Sequence, residues 1–457
     1  MPITAIRIHG YRGFSTPGEL LLAVPNGSPG SGLTLITGPN NSGKSTILEA
    51  LRARAGGQPV SFTVGTRNSA VESVTFEYVV GDKTESIRSL TKGSSETIRD
   101  FDAGVIKVFS LPSRRAFSPY FGKSVYNREQ FRSSSILEPQ RSSTLSNFES
   151  RLFHVLSNPG EFNSLLARIL GYAPEWTIDQ SDQGYYFLKF FSGKHSHSSD
   201  GMGEGIISAF AIADALYDSQ AGEVIAIDEP ELSLHPALQR RLADVLMDQA
   251  KDKQIIVATH SPYLVNLKAL SAGGALARVV TGENGTEIHQ IGQRGRAAIG
   301  VLVADNLSNP HIMGLDAREL FFQEDRVLLT EGQEDVLLYP RVFEQLGLTM
   351  PATLFGWGAG GAGNIKHLCA VLHDLGFSRV GALFDDDKAA DCTEARAAFT
   401  QYRFDMIPAK DVKTKKARKN GDEVVPGLLD EKYQLREELR AAAEQVVNAM
   451  VDYFNAG

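Results

Sequence analysis

Apolar runs alternate with polar and glycine-rich stretches along this chain, and their spacing predicts an α/β protein. Near the start, Ile6 and Ile8 alternate with Arg7 and His9, which predicts a half-buried strand. The next apolar run, "LTLITG", continues directly into a glycine-rich loop, and "STILEALRARAG" after it predicts a helix. Short, β-rich pieces follow between residues 60 and 110.

The middle of the chain has a different pattern. Residues 113–145 are rich in Ser and Arg without a clear period, which predicts exposed loops. Two helices ("FESRLFHVLS" and "EFNSLLARIL") and a hairpin turning near Asp182 are expected next. After residue 204, helices alternate with apolar strands, as in a parallel sheet covered by helices.

A second alternation of strands and helices begins after "ARELFFQED" and predicts a smaller parallel sheet. We therefore expect a first domain over residues 1–320, with an insert at 115–195, and a second over residues 321–457 that ends in a helix.

Composition sets limits on this picture. The chain has 457 residues, 42% of them hydrophobic and 22% charged, which is typical of a globular protein of about two to four domains. Its net charge of −8 argues against general polyanion binding but leaves room for a local basic surface. Two cysteines make neither a zinc site nor a disulfide framework. With no signal peptide and no membrane-length apolar run in the pattern, we expect a cytoplasmic protein.

The stretch "GPNNSGKST" fits the phosphate-loop pattern G-x-x-x-x-G-K-[ST], between a predicted strand and a predicted helix. Its backbone N–H groups and the helix N-terminus suit the phosphates of ATP. Lys44 is expected to reach the β- and γ-phosphates and Ser45 to bind Mg²⁺. The residues expected to contact ATP are Gly38, Asn40, Asn41, Ser42, Gly43, Lys44, Ser45 and Thr46.

A second element, "EVIAIDEPE", is an apolar strand that ends in two carboxylates. Asp228 suits holding Mg²⁺ of the bound ATP, and Glu229 suits positioning the attacking water. Two carboxylates that end a strand also fit a solvated edge, but a buried strand end beside a phosphate loop favours a nucleotide hydrolysis site.

"DEPELSLHP" followed by "VATHSP" resembles the ABC-type ATPase heads of DNA-repair and phage-defence proteins. The resemblance implies that Ser233 to Pro236 form a loop between subunits and that His260 senses the γ-phosphate. It also implies a signature loop contacting ATP on the opposing subunit, for which Ser199, Asp200 and Gly201 are the candidates. A homodimer or larger even assembly is implied in turn.

A cluster of carboxylates follows the strands of the second domain. Glu331 ends "RVLLTE", Asp335 follows on the next helix, and Asp385 and Asp387 come after "RVGALF". Because parallel strands bring their carboxyl ends to one edge, these groups are expected to converge there as ligands for Mg²⁺ or Mn²⁺. If the strand continues in extended form, Asp385 and Asp387 point the same way and Asp386 points elsewhere.

The Glu-Gly strand end followed by Asp-x-Asp resembles the Toprim domain. With the ATPase head before it, the chain resembles the OLD (overcoming lysogenization defect) family of ATP-dependent nucleases. The resemblance implies an ATP-regulated, Mg²⁺-dependent DNA endonuclease of bacterial anti-phage defence, with Glu331 as general acid/base or metal ligand. It also implies that the insert at 115–195 serves dimerisation.

Two basic groups complete the candidates. The run after the aspartates suits phosphate contact as well as a solvated face, and Lys410 or Lys413 is the candidate for transition-state stabilisation. The remaining members of this run are Lys415, Lys416, Arg418 and Lys419. A second basic surface is expected from Arg114, Arg115, Arg128, Arg132 and Arg141.

Two other functions stay open on the sequence. The chain fits an ATP-gated machine that binds DNA or a partner, with the Toprim unit as a scaffold that does not cleave. It also fits a nuclease that acts on RNA. DNA is the favoured nucleic acid, and a defence-system protein or nucleic acid is a possible further partner.

Overall fold

A computed structural model describes residues 2–55, 62, 66–90, 96–101, 106–113, 148–198, 201, 203–304, 311, 314–322, 325–415 and 424–456. Its backbone divides into two compact units, Met1–Ile288 and His289–Gly457. Each unit has its own sheets and its own hydrophobic core.

Several residues from the sequence analysis lie outside the described residues. They are Arg114, Arg115, Arg128, Arg132, Arg141, Ser199, Asp200, Lys416, Arg418 and Lys419.

A six-stranded sheet is the centre of the first unit, and its strands in spatial order are β14, β13, β3, β12, β11 and β7. The pairs from β13 across to β7 are parallel. Strands β3 and β12 are buried along their whole length, as expected for parallel strands covered on both faces. The bounds are β3 Leu33–Thr37, β7 Val108–Leu111, β11 Val224–Asp228, β12 Gln254–Ala258, β13 Ala275–Gly282 and β14 Gly285–Gln290.

An antiparallel sheet covers one side of this unit, with the order β2, β1, β4, β5 and β6. Helix α1 (Lys44–Ala55) contributes Ile47 and Leu51 to one core with Ile8 of β1 and Ala226 of β11, so it joins the two sheets. The bounds are β1 Ile3–His9, β2 Gly18–Leu21, β4 Thr75–Val80, β5 Lys83–Ser89 and β6 Thr97–Asp100.

The predicted helices and hairpin after residue 147 are confirmed. Helices α2 (Phe148–Ser157) and α3 (Gly160–Leu170) precede a three-stranded antiparallel sheet of β8 (Glu175–Gln180), β9 (Tyr186–Ser192) and β10 (His195–Ser198). The remaining helices of the unit are α4 Glu204–Asp218, α5 Pro236–Gln249 and α6 Leu267–Ser271.

The second unit contains a parallel four-stranded sheet in the order β16, β15, β17 and β18. Its strands are β15 Arg326–Leu329, β16 Thr353–Leu354, β17 Arg379–Phe384 and β18 Arg403–Met406. Its helices are α7 Gln293–Ala304, α8 Leu315–Glu319, α9 Gln333–Gln345, α10 Ala362–Asp374, α11 Ala389–Ala398 and α12 Glu437–Asn455, with 3-10 turns at Leu320–Phe322 and Asp386–Lys388.

The division of the chain lies at residue 288, earlier than the boundary at residue 320 that the sequence pattern suggests. Helix α7 explains the difference, because it packs against α10 within the second unit. The hydrophobic period of a helix does not show which sheet it packs near, so the sequence pattern could not assign α7 to the second unit.

A buried ion pair joins α1 to the antiparallel sheet and generates a stability prediction. Arg54 Nε lies 2.6 Å from Glu85 Oε2, and the two side chains are only 5% and 1% exposed. We expect Glu85→Ala to destabilise the first unit by about 3 kcal/mol, because it removes a buried carboxylate that lies within hydrogen-bond distance of a buried guanidinium. Glu77→Ala on the neighbouring strand removes only an exposed partner of Arg7, and should cost less than about 1 kcal/mol.

The measurement is urea unfolding followed by the fluorescence of Trp176, which is buried in the first unit. A Trp357→Phe background removes the only other tryptophan of the chain. Equal shifts of the unfolding midpoint for Glu85→Ala and Glu77→Ala would contradict the assignment.

Candidate functional site

The phosphate loop, residues 38–46, connects β3 to the start of α1. Gly38 has φ +132°, and a Cβ there would lie 2.0 Å from Val279 O, so the backbone admits only glycine. Lys44 Nζ donates hydrogen bonds to Gly38 O at 3.1 Å and Pro39 O at 2.7 Å, which holds it over the loop. Among the described residues, the buried Ser42 Oγ has no hydrogen-bond partner. A buried ammonium group and a buried hydroxyl in one loop fit phosphate oxygens as acceptors.

The other predicted loop residues have ordinary positions in this turn. Asn40 and Asn41 are exposed, Ser45 is half-buried and Thr46 is buried. Asn41 adopts φ +60°, a left-handed conformation that asparagine tolerates better than most residues.

Asp228 and Glu229 leave the sheet beside this loop. Asp228 is the last residue of β11 and pairs in register with Ala258 of β12, and Glu229 N donates to Ala258 O at 2.8 Å. Burial lowers the pKa of Lys44 to about 8, and the negative charges of Glu229, Asp228 and Glu231 oppose that shift. The cation of the phosphate loop therefore shares one electrostatic environment with the carboxylates after β11.

His260 completes this arrangement from the end of β12. Its Nε2 lies 3.8 Å from Glu229 Oε1. Burial lowers the pKa of His260, as does the charge of Lys44, whereas Glu229 raises it. The structure thus brings together Lys44, Asp228, Glu229 and His260, while their individual roles remain predictions.

Sequence reasoning missed Glu231. Its Oε1 accepts a hydrogen bond from His260 N at 2.5 Å, and its Oε2 accepts one from Thr259 Oγ1 at 2.8 Å. Burial raises the pKa of Glu231, while those two hydrogen bonds oppose the shift. Its contact is with the segment after β12, which the spacing of residues in the sequence does not reveal.

The predicted inter-subunit loop, Ser233 to Pro236, packs against the start of α4. Ser233 Oγ donates to Glu204 Oε2 at 2.8 Å, and a Cβ on Gly205 would lie 2.5 Å from Ser233 O. Gly205 therefore permits the close approach of the two segments. Gly201 is the one described residue of the predicted signature loop, and it lies shortly before this helix.

In the second unit, Glu331 and Asp385 meet as the parallel sheet requires. Strands β15 and β17 are adjacent, and Asp385 N donates to Glu331 Oε1 at 3.0 Å. Burial raises the pKa of Asp385 to about 8, and the charges of Glu331, Asp335 and Asp411 add to the effect. Asp335 accepts a hydrogen bond from Gly332 N at 2.8 Å, and burial raises its pKa to about 6.

The expectation that residues 385–387 continue an extended strand is wrong. Strand β17 ends at Phe384, and Asp386–Lys388 form a 3-10 turn. Asp387 nevertheless adds its charge to the fields at Glu331 and Asp385, and it pairs with Lys388 Nζ at 3.1 Å. Asp386 is exposed, and its backbone N–H donates to Ala409 O at 2.9 Å.

The carboxylates of this cluster fit a divalent cation by chemistry, because hard cations take oxygen ligands and the clustered charges repel one another without one. Within the described part of the chain, however, no three Asp, Glu, His or Cys residues are arranged closely enough to hold a metal ion. The donor set is therefore suitable in kind, and its side chains are not preassembled around an ion.

The two nominated lysines differ in their surroundings. Lys410 is exposed, and Lys413 Nζ lies 4.9 Å from the centre of the Tyr433 ring. The pKa of Lys388 is raised mainly by its hydrogen bond with Asp387, and that of Lys415 mainly by its hydrogen bond with Asp411, while Asp385 makes a smaller contribution to both. Lys415 is ion-paired with Asp411, a buried carboxylate that the sequence reasoning also missed.

Comparison with known proteins bears on the first unit. A family model described as "AAA domain, putative AbiEii toxin, Type IV TA system" matches residues 98–266, and one described as "AAA domain" matches residues 5–160. Both matches lie within the first unit. This finding confirms the predicted α/β ATPase fold, whereas the Toprim identity of the second unit remains a prediction.

A relative named OLD nuclease, from Thermus scotoductus, is 31% identical to the ATPase part over 158 residues. The match covers 32% of this chain and 28% of that relative, and it confirms the resemblance to the OLD family for the N-terminal part.

Two solved SMC head domains are also similar to this chain. The head from Thermotoga maritima is 15% identical, with a TM-score of 0.37 over 63% of this chain and 98% of that one. The head from Pyrococcus furiosus, bound to the C-terminal domain of ScpA, is 13% identical, with a TM-score of 0.44 over 66% of this chain and 100% of that one.

No helix in the described ranges is both long and apolar enough to cross a bilayer.

The geometry of the ATPase unit separates binding from hydrolysis. We expect Lys44→Ala to abolish ATP binding, because it removes the cation that the loop carbonyls hold over the phosphate site. Glu229→Gln should keep binding and stop hydrolysis, since the amide cannot take a proton from water. Titration calorimetry and phosphate release measure the two properties.

Lys251→Ala, which removes an exposed lysine of the same unit, is the matched control and should behave as the parent. Turnover of ATP by Glu229→Gln at the parental rate would refute the assignment of Glu229.

Proposed function

We propose that this protein is an ATP-dependent endonuclease that hydrolyses DNA phosphodiester bonds in the presence of Mg²⁺ or Mn²⁺. In this proposal the first unit binds and hydrolyses ATP, and the second unit cleaves the nucleic acid. The single observation that carries the nuclease part is the meeting of Glu331 and Asp385 at the carboxyl edge of a parallel sheet.

The residues of the first unit have distinct tasks in ATP hydrolysis. Lys44 neutralises the phosphates, and Glu229 orients the attacking water and accepts its proton. Ser45 and Asp228 would hold Mg²⁺, which supplies charge neutralisation on the phosphates when bound. His260, whose Nε2 lies 3.8 Å from Glu229 Oε1, would contact the γ-phosphate.

In the second unit, Glu331, Asp335, Asp385 and Asp387 would hold the divalent cation. That cation supplies a more acidic water and a counter-charge for the leaving oxygen. Glu331 is suited to proton transfer because burial raises its pKa above that of an exposed glutamate. Lys388 and Lys415 bring positive charge to the cluster and oppose the repulsion of a phosphate by the carboxylates.

Assembly and biological context are further parts of the proposal. Ser199, Asp200, Gly201 and the loop Ser233 to Pro236 would complete the ATP site of a second copy in a homodimer. The name of the Thermus scotoductus relative, OLD nuclease, supports the nuclease activity. The resemblance to OLD proteins alone leads us to propose bacterial anti-phage defence, in the cytoplasm, as its setting.

One observation favours a different function, in which ATP gates the binding of DNA or a partner and the second unit is a scaffold. The described carboxylates are not arranged in a group of three that would hold a metal ion. The following two predictions separate cleavage from binding alone.

The first prediction concerns cleavage of supercoiled plasmid with Mg²⁺ or Mn²⁺. Asp385→Asn should abolish nicking and leave ATP hydrolysis within about twofold of the parent, because it removes a carboxylate proposed to hold the cation of the second unit and leaves the ATPase residues unchanged. Asp386→Asn is the matched control, since Asp386 is exposed and is not among the residues proposed to hold the cation. Nicking by Asp385→Asn at the parental rate would show that this cluster does not carry the nuclease function. An equal loss of nicking in both variants would contradict the distinction between Asp385 and Asp386. Parallel reactions with RNA distinguish the two nucleic acids.

The second prediction concerns metal binding without any substrate. In the parent, Mg²⁺ or Mn²⁺ should raise the unfolding temperature in the absence of nucleotide, because a bound cation relieves the repulsion among clustered carboxylates. Asp385→Asn should lose most of that rise and start from a higher unfolding temperature in chelator. Differential scanning calorimetry measures both. An identical response to metal in parent and variant would favour the scaffold function.

A further inference from the structure

Glu231 links two segments that both lie at the nucleotide end of the ATPase sheet. It belongs to the turn that follows β11, and its two carboxylate oxygens accept from His260 N and Thr259 Oγ1 on the segment after β12. One carboxylate thus fixes the direction in which the chain leaves β12, immediately before the imidazole of His260.

The same hydrogen bonds continue into a closed ring. Thr259 Oγ1 accepts from Ser261 N at 2.9 Å, and Ser261 Oγ donates to Gln239 Oε1 at 2.5 Å. Gln239 Nε2 then donates to Leu234 O at 2.7 Å, and Leu234 N donates to Glu231 O at 2.9 Å. The ring therefore runs from Glu231 to the histidine segment (Thr259 to Ser261) and from there to Gln239 of α5. It continues to Leu234 in the loop Ser233 to Pro236 and returns to Glu231.

We propose that Glu231 is a positioning residue for ATP hydrolysis, which holds His260 against Glu229 and couples the histidine segment to the loop Ser233 to Pro236. The inference rests on the proposed roles of Glu229 and His260. The ring joins the loop to the segment Thr259 to Ser261 by a continuous series of hydrogen bonds, so we expect a displacement of the loop to reach the imidazole. A second copy that contacts the loop would reach His260 through Gln239, Ser261 and Thr259.

A glutamate is needed here because two groups, the His260 amide and the Thr259 hydroxyl, each donate to one of its two carboxylate oxygens. Alanine leaves the His260 amide and the Thr259 hydroxyl without an acceptor. Glutamine keeps an oxygen for the His260 amide but turns an NH₂ group toward Thr259, whose hydroxyl must then accept. The expected order of activity is therefore Glu231, then Gln, then Ala.

The test is a double-mutant cycle in steady-state ATP hydrolysis with Glu231→Ala, His260→Ala and the combination. We expect each single change to lower kcat by about tenfold or more, with KM changed by less than about threefold. In the His260→Ala background, Glu231→Ala should have an effect of less than about twofold, because its action passes through the missing imidazole. Glu231→Gln should recover a substantial part of the loss.

Glu223→Ala is the matched control, because it also removes a buried carboxylate. Glu223 directly precedes β11, at the end of that strand opposite to Glu231. It should lower the unfolding temperature and leave kcat unchanged. A fall in kcat proportional to lost stability across Glu223→Ala and Glu231→Ala would overturn the positioning role. Effects of Glu231→Ala and His260→Ala that multiply in the combination would overturn it as well.

Hydrogen exchange of the His260 and Ser261 amides gives a second readout that needs no activity. Glu231→Ala should accelerate exchange at both, and Gln239→Ala should accelerate it less. Unchanged exchange in Glu231→Ala would overturn the inference even if hydrolysis fell. If the parent hydrolyses no ATP, the proposed function fails, and the exchange rates still decide whether Glu231 positions this segment.

Discussion

The register of the parallel strands is the constraint on which both sites depend. In the first unit, Ile36, Ala258 and Asp228 are aligned across three neighbouring strands, so the phosphate loop, the carboxylate pair and the histidine segment leave the sheet at one edge. In the second unit the pairing of Leu329 with Ala382 has the same consequence for the acidic residues that follow. A shift of one residue in either sheet would turn these groups to opposite faces.

Carboxylates that lie together at one edge of a sheet repel one another, and the two units offset this repulsion in different ways. The first places Lys44 among the carboxylates after β11, so its site carries a cation of its own. In the second, the acidic groups face each other, and the pKa of Asp385 rises to about 8 because burial and its neighbours disfavour the charge. In the proposed function, a divalent cation that binds there would displace protons, which would couple its affinity to pH.

Much of this could be predicted, because an apolar run that stops at a carboxylate marks both a buried strand and the edge where its side chains meet. For that reason the pattern predicted Glu229 and Glu331 as carboxylates at the ends of buried strands. It failed after the strand ends: Asp387 lies in a turn, and no period separates a turn from an extended continuation. Asp411 was missed because β18, which precedes it, has only four residues and no clear alternation. Glu231 required a contact with the segment after β12, which spacing alone does not reveal.

Backbone strain gives independent evidence about the nucleotide end. Five described residues other than glycine have positive φ, and Asn41, Glu229 and Ser233 are three of them. Such a conformation costs about 1–2 kcal/mol for a residue with a Cβ, and glycine would adopt it freely. If these positions served only to turn the chain, glycine would be the more stable choice. The chain keeps a carboxylate at residue 229 and a hydroxyl at residue 233, and backbone hydrogen bonds from Glu229 N to Ala258 O and from Leu232 N to Glu229 O hold the turn. Glu229 and Ser233 therefore adopt a conformation that lowers stability where glycine would not, which favours a functional requirement for their side chains.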